Sequence, residues 1–196
     1  MLSEDQQSIA RVLGGDTSAF ADIVDRHQRR LLGLLVHACG DAQLAEDIAQ
    51  EAFARAYRKL KLFSGESQFY TWLARIAMNL LFSDRRRKRI ENQTQRAGLA
   101  EALDSQGFTN RSAEAAPDQQ MELNETQHYV RQAIAMLDEE RRAVVLLRDF
   151  DGMDYAAIAE TLEIPVGTVR SRLHRARLEL RATLQQNAVQ LGLSSQ

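Results

Sequence analysis

Along residues 17–39 apolar side chains recur every three or four positions, at Phe20, Ile23, Val24, Leu31, Leu34 and Leu35. Residues at that spacing share one face of a helix, so the pattern predicts an amphipathic helix ending at Cys39. The same period returns over 42–60 through Leu44, Ile48, Ala52, Phe53, Tyr57 and Leu60. It returns again over 68–89 through Phe69, Trp72, Leu73, Ile76 and Leu80. A shorter helix is expected at the start, opened by Ser3 and Gln6 as a capping box and stopped by Gly14-Gly15. Gly40 closes the second helix, and Asp41 can cap the third.

From 91 to 120 the apolar stripe lapses. ENQTQRAGLAEALDSQGFTNRSAEAAPDQQ is rich in polar and small residues and reads as a flexible linker, with a marginal helix near 98–104. Periodicity resumes at Met121 and carries through Tyr129, Val130, Ala133, Ile134 and Leu137. Asp138 can cap a helix bearing Val144, Val145, Leu146 and Leu147 that stops at Gly152, and Asp154 can cap the short YAAIAETL. One more helix follows Pro165, and QQNAVQLGLSSQ is expected to fray. No alternating run argues for a strand. The expected fold is all-α: two small helical domains, 1–90 and 121–184, joined by the linker 91–120 and followed by a tail at 185–196.

The stretch PVGTVRSRLHRAR, residues 165–177, sorts its side chains by face. On a wheel of 100° per residue, Val169, Leu173, Ala176, Leu180 and Leu184 form one stripe. Thr168, Arg170, Ser171, His174 and Arg175 lie opposite, with Arg181 further along that flank. Upstream, Ile158, Ala159 and Leu162 give the preceding helix an apolar edge, and Glu163-Ile164-Pro165 makes a tight turn, because proline presets a helix start. Short helix, turn and basic helix describe a helix-turn-helix, whose second helix enters the major groove. There Arg pairs with guanine, Ser with several bases, and other cations with phosphate. The plainer reading is a solvated basic face; the turn and the one-sided cations favour DNA.

Charge sharpens this. There are 25 Lys and Arg against 27 Asp and Glu, a formal net charge of −2, so attraction to DNA must be local. The one cysteine, Cys39, allows no disulfide within the chain and fits a reducing compartment. The start, MLSEDQQSIA, is unlike a secretory signal, and apolar runs such as LLGLLVHA fall short of the ~20 residues that span a bilayer. A cytoplasmic location is expected.

A second concentration of chemistry lies in FSGESQFYTWLARIAMNLLFSDRRRKR, residues 63–89. Phe63, Phe69, Tyr70 and Trp72 crowd together, and Arg75, Arg85, Arg86, Arg87, Lys88 and Arg89 follow. Rings beside cations suit unstacked bases on a single strand. The same rings are spaced to form core. Both are expected to hold: most rings pack, while Phe63, Tyr70 and the loop between them stay available. On the third helix Asp47, Gln50, Glu51 and Arg55 lie away from Ile48 and Phe53, ordinarily just a solvated face.

DIAQEAFARAYRKL, FSGESQFYTWLARIAMN and LRDFDGMDYAAIAETLEIPVGTVRSRLHRAR, in this order and spacing, resemble a bacterial RNA polymerase sigma factor of the extracytoplasmic-function group, in the sigma-70 family. The resemblance implies a non-catalytic promoter-reading subunit without a cofactor. It implies core polymerase docking through Asp47, Gln50, Glu51 and Phe53. It implies capture of the opened minus-ten element, including a flipped base, by the loop and helix at 63–83 and the basic run: Phe63, Ser64, Tyr70, Trp72, Arg75, Asn79, Arg85 and Arg86. Asn79 stands where the family commonly has a base-contacting asparagine. A polar residue often follows it by a turn; here Phe82 and Ser83 do. Thr168, Arg170, Ser171, His174 and Arg175 match the reader of the minus-thirty-five element. The implied partners are core RNA polymerase, promoter DNA in duplex and single-stranded form, and an anti-sigma factor, which commonly holds family members.

Two rival readings make different demands on the chain. A stand-alone helix-turn-helix regulator with a partner-sensing first domain would bind duplex DNA without polymerase, usually as a dimer. No dimerising heptad appears, and the aromatic loop would go unexplained. An all-helical enzyme would need more than His37 with Cys39 or Asp47 with Glu51, since two ligands do not complete a zinc site and no phosphate loop appears.

Overall fold

The computed structural model describes residues 3–98 and 129–190, which hold helices and no strand and fall into two compact units.

The first unit contains α1 (Glu4–Leu13), a 3₁₀ turn (Thr17–Ala19), α2 (Phe20–Cys39), α3 (Ala42–Arg58), a second 3₁₀ turn (Leu60–Leu62) and α4 (Phe69–Gly98). The capping box forms: the Ser3 hydroxyl accepts from the Gln6 amide at 3.2 Å, and the Gln6 side chain accepts from the Ser3 amide at 2.9 Å. Gly40 closes α2 at φ 71°, a left-handed turn that glycine makes without a Cβ penalty. Asp41 then accepts from the Leu44 amide at 3.1 Å and starts α3. Ile23, Leu31 and Leu35 of α2, Ala45, Ala52 and Ala56 of α3, and Leu73, Ala77 and Leu81 of α4 are almost wholly buried. The alanines on α3 allow close approach, and each buried Leu or Ile contributes about 1.5–3 kcal/mol. Charge ties α1 to α2: both Asp5 oxygens lie 3.0 Å from His27 Nε2, and Arg26 pairs with Asp5 and Glu4.

Three expectations change here. The fourth helix does not stop at Arg89 but runs to Gly98. No proline or glycine interrupts 90–97, and an Arg87–Glu91 pair spans one turn at 3.7 Å. Its buried face is also rotated: Tyr70, Ala74, Ala77, Met78 and Leu81 are inside, while Ile76 and Leu80 are half-exposed. Tyr57, expected in the core, is 41% exposed and meets Phe20 edge-on, ring centroids 5.0 Å apart.

The second unit contains α5 (129–136), α6 (Glu139–Val145), most of α7 (Tyr155–Leu162) and α8 (Val166–Gln190). Asp138 caps α6 by accepting from the Arg141 amide at 2.8 Å. Arg142 closes the end of α5, donating to the carbonyls of Ile134 at 3.1 Å and Leu137 at 2.8 Å. A π turn, Leu146–Phe150, replaces the uninterrupted helix expected up to Gly152. Val144, Val145, Leu146 and Leu147, with Ile158, Val169, Leu173 and Ala176, make the core. The frayed tail expected from 185 is instead helical through Gln190. The marginal helix expected beyond Gly98, the onset at Met121 and residues 191–196 lie outside the described residues. Among the described residues no helix is long and apolar enough to cross a membrane.

Candidate nucleic-acid interface

The turn between α7 and α8 is built by backbone geometry. Ile164 N–H bonds the Ala159 carbonyl at 3.0 Å and Glu163 N–H the Glu160 carbonyl at 3.4 Å, which closes α7 as a Schellman motif. Glu163 occupies the left-handed position at φ 55°, where glycine is usual. The Pro165 carbonyl then accepts from Thr168 at 2.8 Å and Val169 at 3.2 Å, and α8 begins.

The cations of α8 divide into two sets. Arg172 pairs with Glu140, and Arg177 with Asp149 of the π turn, while Arg141 reaches from α6 to Glu179. The hydrogen bond to Asp149 raises the Arg177 pKa. Arg170, Ser171, His174 and Arg175 are exposed, and Thr168 is half-exposed beside them. His174 and Arg175 meet no acidic partner among the described residues. The Ser171 hydroxyl donates to the Thr168 carbonyl at 3.0 Å, and Arg170 lies 5.9 Å above the Tyr155 ring, which Arg148 also approaches at 5.2 Å. The five residues expected to read duplex DNA thus lie on one accessible flank.

The aromatic region is more closed than expected. Phe69 is 2% exposed, Tyr70 3% and Trp72 8%. The availability expected for Tyr70 is therefore corrected: His27 packs on one side at 5.6 Å and the Arg30 guanidinium covers the ring at 3.8 Å. Trp72 is likewise closed off, against Phe63 at 5.2 Å and Phe69 at 5.7 Å. Phe63 remains half-exposed and Ser64 exposed in the loop. Arg75 is half-exposed, and Asn79 and Arg86 are exposed. Arg85 also departs from expectation, because its guanidinium donates to the Ala38 carbonyl and caps the end of α2.

On α3, Asp47 and Gln50 are exposed. Glu51 is gripped by Arg55 at 2.6 Å and Arg58 at 3.1 Å, and the Arg55 hydrogen bond holds its carboxyl below the usual range. Phe53 is 8% exposed and does not stand out from the surface; it lines an open groove of about 710 Å³ between α2 and α3. Gln28, Arg29 and Leu32 of α2 and Glu46, Ala49 and Gln50 of α3 complete much of its wall. Sequence reasoning missed the α2 side. The signal was Val24, Gln28 and Leu32, spaced four apart along the rim of the buried stripe.

Residues 8–90 match the family described as Sigma-70 region 2, and residues 127–180 the family described as Sigma-70, region 4. The chain is 41% identical to the RNA polymerase sigma-H factor of Pseudomonas aeruginosa, over 93% of this chain and 94% of that protein. It is 37% identical to the ECF RNA polymerase sigma factor SigW of Bacillus subtilis, over 91% of this chain and 96% of that protein. Its fold resembles that of CnrH in complex with the cytosolic domain of CnrY, with a TM-score of 0.67 and 23% identity over 94% of this chain and 99% of that one. It also resembles the sigma factor RpoE in complex with the anti-sigma factor NepR from Bartonella quintana, with a TM-score of 0.65 and 23% identity over 85% of this chain and 96% of that one.

Proposed function

The chain belongs to the sigma-70 family, in its extracytoplasmic-function group, and we propose that three of its surfaces divide the factor's work among polymerase, duplex DNA and the opened strand. It acts as a sigma factor that directs RNA polymerase to promoters and initiates transcription there. Residues 1–90 are assigned to core docking and the minus-ten element, 121–184 to the minus-thirty-five element, with 91–120 as the tether and 185–196 as the tail.

The observation that carries the reading is the sorting of cations on α8. Arg172 and Arg177 anchor the helix, while Arg170, Ser171, His174 and Arg175, with Thr168, face outward. An N-terminal helical face of this kind suits base edges and phosphates of the major groove. Asp47, Gln50, Glu51 and the groove floor at Phe53 suit a helix of core polymerase laid across α2 and α3. Phe63, Ser64, Arg75, Asn79 and Arg86 are the accessible residues for the opened strand. Trp72 backs Phe63, while Tyr70 and Arg85 are engaged with α2.

The energetics explain the need for polymerase. Extruding a base costs a few kcal/mol. Stacking on protein rings returns about 1–3 kcal/mol per base. The terms are comparable, so opening draws on the binding energy of the whole holoenzyme. The factor works by binding and not by catalysis, in the cytoplasm where polymerase and DNA are. An anti-sigma factor is a further partner in this reading, and of the two fold neighbours RpoE is bound to the anti-sigma factor NepR.

In vitro transcription with purified core polymerase on a genomic promoter library tests the reading. Start sites downstream of two shared elements are expected. The absence of any promoter-specific start would refute it, and tight duplex binding without polymerase would favour the stand-alone regulator.

A further inference from the structure

Phe82 and Ser83 follow Asn79 by one turn of α4. Ser83 is satisfied locally: its hydroxyl donates to the Asn79 carbonyl at 2.7 Å. Phe82 is half-exposed, and among the described residues no second ring and no guanidinium lies on it. The cations around it sort as those of α8 do. Arg85 donates to the Ala38 carbonyl, Arg87 pairs with Asp84 at 3.1 Å and Glu91 at 3.7 Å, and Lys88 pairs with Asp84 at 2.9 Å. Arg75 and Arg86 meet no acidic partner among the described residues. Arg75, Asn79, Phe82 and Arg86 stand at intervals of four, three and four, which brings them within about 60° of one another on one side of the helix. Ala77 and Leu81 are buried on the other side. The stripe is thus a phenyl ring beside an amide, between two cations about 16 Å apart along the helix axis.

We propose that Phe82 is a further contact for the opened promoter strand: an unstacked base lies against its ring, next to the base that Asn79 meets, while Arg75 and Arg86 hold phosphates to either side. This rests on the reading of the chain as a sigma factor. A phenyl ring carries neither donor nor acceptor, so it cannot read a base edge as a polar residue at that place would. What it offers is a face, and every base has a π-face to match. A base within the duplex keeps its faces against its neighbours and shows only its edges, so the contact forms once the strands part. The site should therefore accept any base opposite Phe82 and still require one to be there.

The test uses holoenzyme reconstituted at saturating core polymerase and a promoter that the wild-type holoenzyme selects from a genomic library. Fork-junction DNA with a single-stranded minus-ten segment is titrated against wild type, Phe82→Ala, Phe82→Leu and Phe82→Tyr, and thermal melting of each factor is recorded. Phe82→Ala is expected to bind the fork about five- to hundredfold more weakly, the range that one lost stack represents. Phe82→Leu, which keeps apolar bulk and loses the ring, should also weaken binding, and Phe82→Tyr should match wild type. An abasic sugar is then moved through the single-stranded segment, and at one position it should erase the difference between wild type and Phe82→Leu. Wild-type binding by Phe82→Leu, a defect shared by Phe82→Tyr, or a defect that persists at every abasic position overturns the proposal, as does a loss that only tracks a lowered melting temperature. Failure of the wild type to select any promoter would instead sink the sigma-factor reading.

Discussion

Arg177 of α8 forms a two-pronged hydrogen bond with Asp149, both guanidinium nitrogens Nε and Nη2 meeting carboxylate oxygens of the π turn that follows α6. Two turns of helix separate the anchor from Arg170, which faces outward. Anchors and readers on α8 are thus chemically alike and differ only in what stands opposite. Replacing Arg177 or Arg172 with Ala should lower stability by about 0.2–1 kcal/mol, the usual worth of a partly exposed ion pair. Arg175→Ala should leave the melting temperature unchanged and weaken use of the upstream element by ~1–3 kcal/mol if it pairs with a guanine. Thermal melting and transcription from promoters with and without that element check the separation.

The groove between α2 and α3 should respond to charge. Leu32 lines it beside Arg29 and Gln50. Leu32→Asp puts a carboxylate on an apolar wall and should weaken core polymerase binding at least about tenfold, in the range of a buried interface anchor. Fluorescence titration of labelled factor with core enzyme measures it. Fork-DNA protection by a holoenzyme formed at saturating core should be unaffected.

Asp138 links stability to pH. Burial pushes its carboxyl up, but hydrogen bonds from the Arg141 amide and guanidinium outweigh this, and its pKa lies below the ordinary aspartate value. A carboxyl depressed by folding stabilises the folded state fully above its unfolded-state pKa. That stability is lost as pH falls through the folded-state pKa. Asp138→Ala should therefore cost about 1 kcal/mol at neutral pH, as loss of an N-cap does. The cost should shrink in acid below the aspartate range. Urea melts across that range give both numbers.

Glu163 in the turn before α8 is the wrong residue for its backbone. At φ 55° a side chain pays a steric cost that glycine avoids. Glu163→Gly should keep the turn and stabilise the second unit by up to about 1 kcal/mol, read as a higher urea midpoint.

How far the residues themselves foretold this follows physical lines. Local signals were legible: Ser3 with Gln6, Gly40, Asp41, Asp138 and Asp154 mark helix ends where they occur, because caps depend on near neighbours alone. The outward flank of α8 was legible because helical period alone sets it. Features that depend on a distant partner were hidden. Tyr70 reads as an available ring until α2 brings Arg30 and His27 over it. Arg85 reads as one more cation until the Ala38 carbonyl appears beneath it. The groove has a second wall that no α3 motif could disclose. The π turn at Leu146–Phe150 begins inside the apolar run 143–147, with no glycine or proline there to announce it.

The most direct test of the division of labour is a footprint of holoenzyme on a promoter it selects, with permanganate reactivity recorded in the same sample. With Arg170→Ala combined with Arg175→Ala, protection of the upstream duplex element should vanish, and permanganate-reactive thymines downstream should return when the minus-ten segment is supplied as a mismatched bubble. Upstream protection indistinguishable from wild type, in a variant that melts normally, would contradict the assignment of α8 as the reader of paired DNA.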